Sequence, residues 1–133
     1  MGRVVAFALC LAALGGCASV APGSPLTGDW GGERVGLVLD DSGGRLEYDC
    51  ASGTIAGPLI PGADGTFAAT GTHTPGQGGP DRARYVPPSY AARYSGSVSG
   101  TSMTLRVEVP SRDLAIGPLR LRQGEPPRLL RCL

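Results

Sequence analysis

Few side chains in this 133-residue sequence are suited to chemistry. His73 is the single histidine, and a metal site needs three or four ligands. Gly96-Ser97-Val98-Ser99-Gly100 has the outer glycines of a nucleophile elbow but valine at its centre, where the serine must stand. No glycine-rich phosphate loop and no paired-carboxylate signal is present. The residues suited to recognition gather in one stretch. His73 to Ser89 holds the histidine, Asp81, Arg82, Arg84 and Tyr85, with Tyr90, Arg93 and Tyr94 just beyond. Tyrosine and arginine are common anchors of recognition surfaces. The stretch is rich in proline and glycine and long for a connection, and such loops are functional or mobile. Trp30, the single tryptophan, is a packing residue or a ligand contact. The expectation is a binding or structural protein, with no catalytic set, no cofactor and no metal.

The elements that must position these residues alternate with period two. Leu46, Tyr48 and Cys50 share one face against Arg45, Glu47 and Asp49. Ala92, Tyr94, Gly96 and Val98 alternate with Arg93, Ser95, Ser97 and Ser99, and Met103, Leu105, Val107 and Val109 with Ser102, Thr104, Arg106 and Glu108. Val35-Leu37-Leu39, Phe67-Ala69-Gly71 and Leu119-Leu121 repeat the pattern. Gly53 to Leu59 and Arg128 to Cys132 are shorter candidates, which makes about eight strands. Asp41-Ser42-Gly43-Gly44, Gly62-Ala63-Asp64-Gly65, Ser99-Gly100 and Gln123-Gly124-Glu125-Pro126 supply turn chemistry. Short connections join antiparallel neighbours, and a sheet with one apolar face hides it by closing. The expected fold is all-β, a small up-and-down meander closed into a barrel, with an open sandwich as the alternative. The outward residues suit water rather than lipid, which argues against a membrane-spanning barrel. The small inward residues Ala69, Gly71, Ala92 and Gly96 fit a filled interior better than a cavity.

All 12 basic residues are arginine, against 11 acids. This near-neutral balance excludes a nucleic-acid binder working through bulk charge. The N-terminus reads as an address. Arg3 precedes an uncharged run from Val4 to Leu14, too short to span a bilayer as a helix. Leu14-Gly15-Gly16-Cys17 follows directly and resembles the bacterial lipobox. That resemblance implies a signal peptide over 1–16, lipidation of Cys17 with palmitate-like chains, a tether over 17–27 and one domain over 28–133. Ala18 after the cysteine implies the outer membrane, facing the periplasm. Secretion by cleavage after Ser19-Val20-Ala21 and an uncleaved anchor are the alternatives. If Cys10 is lost with the signal and Cys17 takes lipid, Cys50 and Cys132 remain in an oxidising compartment and form a disulfide most economically. A metal site and two free thiols are the other possibilities.

Three further resemblances bear on function. Gly28-Asp29-Trp30 is similar to the Gly-x-Trp of the first strand in lipocalin-like barrels, which implies that Trp30 closes one end. Tyr48-Asp49-Cys50 with the terminal Cys132-Leu133 resembles the membrane-bound inhibitors of C-type lysozyme. Their inhibitory Ser-Gly-Ala-x-Tyr loop finds only Ser89-Tyr90-Ala91-Ala92-Arg93-Tyr94 here. Asp40-Asp41-Ser42-Gly43-Gly44 is similar to the nucleophile segment of chymotrypsin-like proteases, but the histidine falls after the serine and the chain is too short for two barrels, so a hairpin turn explains it. The expectation is a non-enzymatic envelope lipoprotein with the membrane as one partner through its anchor. An unknown protein or a small apolar ligand would be the other. The alternatives are a lysozyme-inhibitor-like periplasmic protein and a lipocalin-like carrier.

Overall fold

A computed structural model describes residues 23–76 and 84–130. The signal segment, Cys17, Arg82 and Cys132 lie outside these residues. Eight antiparallel strands run in chain order: β1 (Gly28–Gly32), β2 (Val35–Asp40), β3 (Gly43–Tyr48), β4 (Ala51–Ala56), β5 (Thr66–Pro75), β6 (Tyr90–Ser99), β7 (Ser102–Val109) and β8 (Leu114–Gln123). Each pairs with the next, and β8 pairs back onto β1 through Trp30–Gln123 and Gly31–Arg122, so the meander is a closed barrel. The only helical element among the described residues is a 3-10 turn at Pro110–Arg112.

The turn residues act as their chemistry requires. Asp40 Oδ1 accepts from Ser42 N at 2.8 Å, Ser42 Oγ at 2.6 Å and Gly43 N at 3.0 Å, which ties the β2–β3 hairpin. Asp64 Oδ1 accepts from the backbone N and the hydroxyl of Thr66 where β5 begins. These bonds to the ionised form hold both carboxyls below their usual pKa.

Two strand assignments change. Arg128 to Cys132 supplies no described strand; Arg128 makes only an isolated parallel bridge with Glu33. The remaining strand is Gly28–Gly32, whose glycines hide its alternation. The last segment instead runs back over the outside of β1 and β2. Its Pro126 and Pro127 lie where a Cβ on Gly31 or Gly36 would stand. Backbone bonds Gly124 N to Asp29 O (2.7 Å), Arg128 N to Gly32 O (3.0 Å) and Arg34 N to Arg128 O (2.7 Å) fasten this strap. Cys50 is also displaced from expectation: β3 ends at Tyr48, and Cys50 sits exposed in the β3–β4 turn with φ 57°.

The interior is packed. Trp30, Val35, Leu37, Leu39, Leu46, Tyr48, Ile55, Leu59, Phe67, Tyr94, Leu105, Val107 and Leu121 belong to one buried cluster. Of the small inward residues, Gly71 lies against the Thr54 backbone, and Gly96 against the Thr104 backbone and the tip of the Phe67 ring. Leu26, ahead of β1, is buried too, and its N–H donates to Leu59 O at 2.8 Å. The chain therefore enters at the end that carries the β2–β3, β4–β5 and β6–β7 connections. The opposite end carries the β1–β2 and β3–β4 turns, the end of β5, the start of β6 and the 3-10 turn.

Candidate functional site

The loop-bearing end has an exposed rim and a polar cluster beneath it. The cluster is built by the inward faces of β3, β5 and β6, with Gly53 on β4 between them. Tyr48 comes from one side of Gly53 and Tyr94 from the other, and a Cβ on Gly53 would meet both hydroxyls and Thr72 O. The absent side chain is what lets two strands that are not neighbours bring their tyrosines together. Tyr94 OH donates to Thr72 O at 2.5 Å, so its single proton is used. The Tyr48–Tyr94 contact of 3.2 Å must then be a bond from Tyr48 OH to Tyr94 Oη. Burial pushes both phenols above their ordinary pKa, and donation to Tyr94 pushes Tyr48 further. Both stay protonated.

His73 is the third member. The expected loop begins later than the sequence implies: His73, Thr74 and Pro75 complete β5, and Ala51 pairs with Pro75. His73 is only 3% exposed rather than a surface residue. Its ring packs on Tyr48 with centroids 5.6 Å apart, and its buried Nδ1 has no hydrogen-bond partner. Burial lowers its pKa, so the ring is neutral near pH 7.

The other recognition candidates separate. Tyr94 is fully buried and belongs to the core, not to a surface, because its place on β6 faces inward. Trp30 is 2% exposed, and its Nε1–H donates to Thr27 O at 3.2 Å, which places the indole inside the barrel toward the chain's entry. Tyr90 is half-buried where β6 starts, with the Arg112 guanidinium 5.0 Å from its ring centre. Arg84, Tyr85 and Arg93 are exposed. Ser42 lies at the entry end, away from His73, in a hairpin. Cys50 sits at the rim beside Asp49, which holds Arg34 Nε at 3.3 Å and accepts from Leu130 N at 2.8 Å. The sequence alternation puts Tyr48 and Tyr94 inward, but their meeting depends on β3 and β6 lying on either side of β4 and β5. Arg112 could be found only through the 3-10 turn that carries it over Tyr90.

Among the described residues, no three of His, Cys, Asp or Glu come together as a metal site. Two grooves lie on the outer wall. One, of about 890 Å³, runs between the strap and β1–β4 and is lined by Asp29, Asp40, Arg45, Glu47 and Glu125 among others. The other, of about 460 Å³, lies where β7, β8 and β1 meet the strap. Compared with family models, characterised proteins and solved structures, the chain matches none. The functional reading therefore rests on the geometry.

Proposed function

We propose that this protein is a non-enzymatic lipoprotein of the bacterial cell envelope, held by Cys17, whose barrel is a scaffold that recognises through its outside. The observation that carries this reading is the packed interior: Trp30, Tyr94 and the leucines form one buried apolar cluster. This favours exterior recognition over a lipocalin-like carrier, whose barrel keeps a cavity. The rim around Arg84, Tyr85, Tyr90 and Arg112 lies opposite the end at which the tether would join. The lysozyme-inhibitor reading gains no support from Ser89–Tyr94. Tyr90 to Tyr94 is strand, and Tyr94 faces the core.

The same reading takes Cys50 and Cys132 as a disulfide. Leu130 bonds to the Asp49 carboxylate, so the chain two residues before Cys132 is held beside the residue before Cys50. Such a bond would lock the strap.

Expression with its own N-terminus in a Gram-negative host tests the proposal. The mature protein should begin at Cys17, carry acyl mass there and fractionate with membranes. Cys17→Ala should abolish the acyl mass. A mature protein without acyl mass at its N-terminus refutes the lipid anchor.

A further inference from the structure

The outward faces of β6, β7 and β8 carry a pattern that nothing above explains. Thr104 stands opposite Arg120 and Ser102 opposite Arg122, so hydroxyl and guanidinium groups alternate across the β7–β8 pair. Arg106 continues the outward row of β7, opposite Ser95, and Ser97 lies opposite Thr104. Arg128 reaches the same groove from the strap, so that groove is lined by Ser102, Thr104, Arg120, Arg122 and Arg128. All four arginines are exposed. Glu33 and Glu125 also line the groove, yet neither pairs with an arginine; the one ion pair among the described residues is Arg34–Asp49, elsewhere on the barrel. Acidic residues dominate the other groove, where Arg45 is the single cation beside Asp29, Asp40, Glu47 and Glu125. Charge is therefore uneven between the two grooves, with Glu125 shared by both and Glu108 ending the outward row of β7 opposite Arg93.

Unpaired guanidinium groups flanked by hydroxyls suit phosphate, which accepts several hydrogen bonds from a planar fork. The face is a broad sheet surface rather than an enclosed pocket, and no aromatic residue lies among these outward positions, unlike the centre of a protein interface. We propose that the β7–β8 face docks on a membrane surface, its arginines contacting the phosphates of anionic headgroups. Residues 17–26 can reach at most roughly 30 Å by covalent geometry, enough for the barrel to lie on its side beside its anchor. This inference draws on the envelope reading only for the membrane's proximity; the arginine face stands without it.

The test separates the two. The chain from residue 17 onward with Cys17→Ala, which carries neither lipid nor the apolar run Val4–Leu14, is mixed with vesicles of neutral phosphatidylcholine or with 30% phosphatidylglycerol added, a composition chosen for the assay at about 0.1 M salt. Binding should favour the anionic vesicles and fade as salt rises. Arg120→Ala with Arg122→Ala should weaken it about fivefold per arginine, with the circular dichroism spectrum unchanged. Arg45→Ala, on the acidic side, should not weaken it. Equal binding to both vesicles, or insensitivity to the double substitution, overturns the proposal. So does full competition by millimolar inorganic phosphate, which would point to a discrete phosphate site, or stronger binding to a soluble anionic polysaccharide. Failure here leaves acylation of Cys17 untouched, because that is read by mass.

Discussion

Replacing Tyr48 and Tyr94 by phenylalanine, singly and together, tests whether the buried relay runs in one direction. Tyr48 OH donates to Tyr94 Oη, and Tyr94 OH donates to Thr72 O. Tyr48→Phe removes a donor and leaves Tyr94 bonded to Thr72, so its cost should be that of one ordinary hydrogen bond, about 0.5–1.5 kcal/mol. Tyr94→Phe strands the Tyr48 hydroxyl in a buried site without its acceptor and also takes the donor from Thr72 O. Its cost should be larger, about 2–4 kcal/mol, from one lost bond and one unsatisfied buried group. The double variant removes the stranded hydroxyl, so it should be no less stable than Tyr94→Phe alone. Urea unfolding followed by circular dichroism gives the four stabilities and the coupling between sites. A Tyr48→Phe cost exceeding that of Tyr94→Phe, or two costs that simply add, refutes the directed relay.

His73 binds fewer protons in the fold than in the unfolded chain, because burial lowers its pKa from the ordinary 6.5. Its contribution to stability is therefore full above about pH 6.5 and is lost as pH falls below that value toward the folded-state pKa. His73→Phe should flatten that acid slope and, by removing an unpartnered Nδ1, leave the fold at pH 7 as stable or more so by up to about 2 kcal/mol. Unchanged acid sensitivity would contradict this. Gly53→Ala should cost about 1–3 kcal/mol through overpacking against both tyrosine hydroxyls, read as a lower urea midpoint; a neutral effect would show that the tyrosines do not meet there. Cys50→Ser should lower stability by about 2–5 kcal/mol under oxidising conditions and have much less effect under reducing ones. An equal loss in both would argue against the disulfide.

The alternation of β2, β3, β6 and β7 is legible because each carries apolar residues at every second position, and the closed meander follows from short turns and one-sided burial. β1 was hidden because Gly28, Gly31 and Gly32 carry no polarity to alternate; the cause is visible only in the strap, whose Pro126 lies against Gly31. Arg128 to Cys132 looks like a strand for the opposite reason, since its leucines and arginines imitate the pattern while its backbone bonds run to β1 and to Asp49. The inward place of His73 is hard to read in the sequence because the alternation gives way to proline and glycine just after it, although β5 continues to Pro75 against Ala51. Tyr94 stands among plausible surface anchors in the sequence, but its alternation with Arg93 and Ser95 already assigns it inward. The orphaned Nδ1 and the hydroxyl relay are tertiary facts that no local pattern encodes.

A barrel packed by its own side chains shelters Trp30, the single tryptophan, whose fluorescence reports on the interior directly. Its emission should be blue-shifted and shielded from acrylamide, and titration with fatty acids or other small apolar ligands should leave it unchanged. Saturable quenching or a spectral shift with such a ligand would reveal an interior site and contradict a scaffold that works from its outer wall.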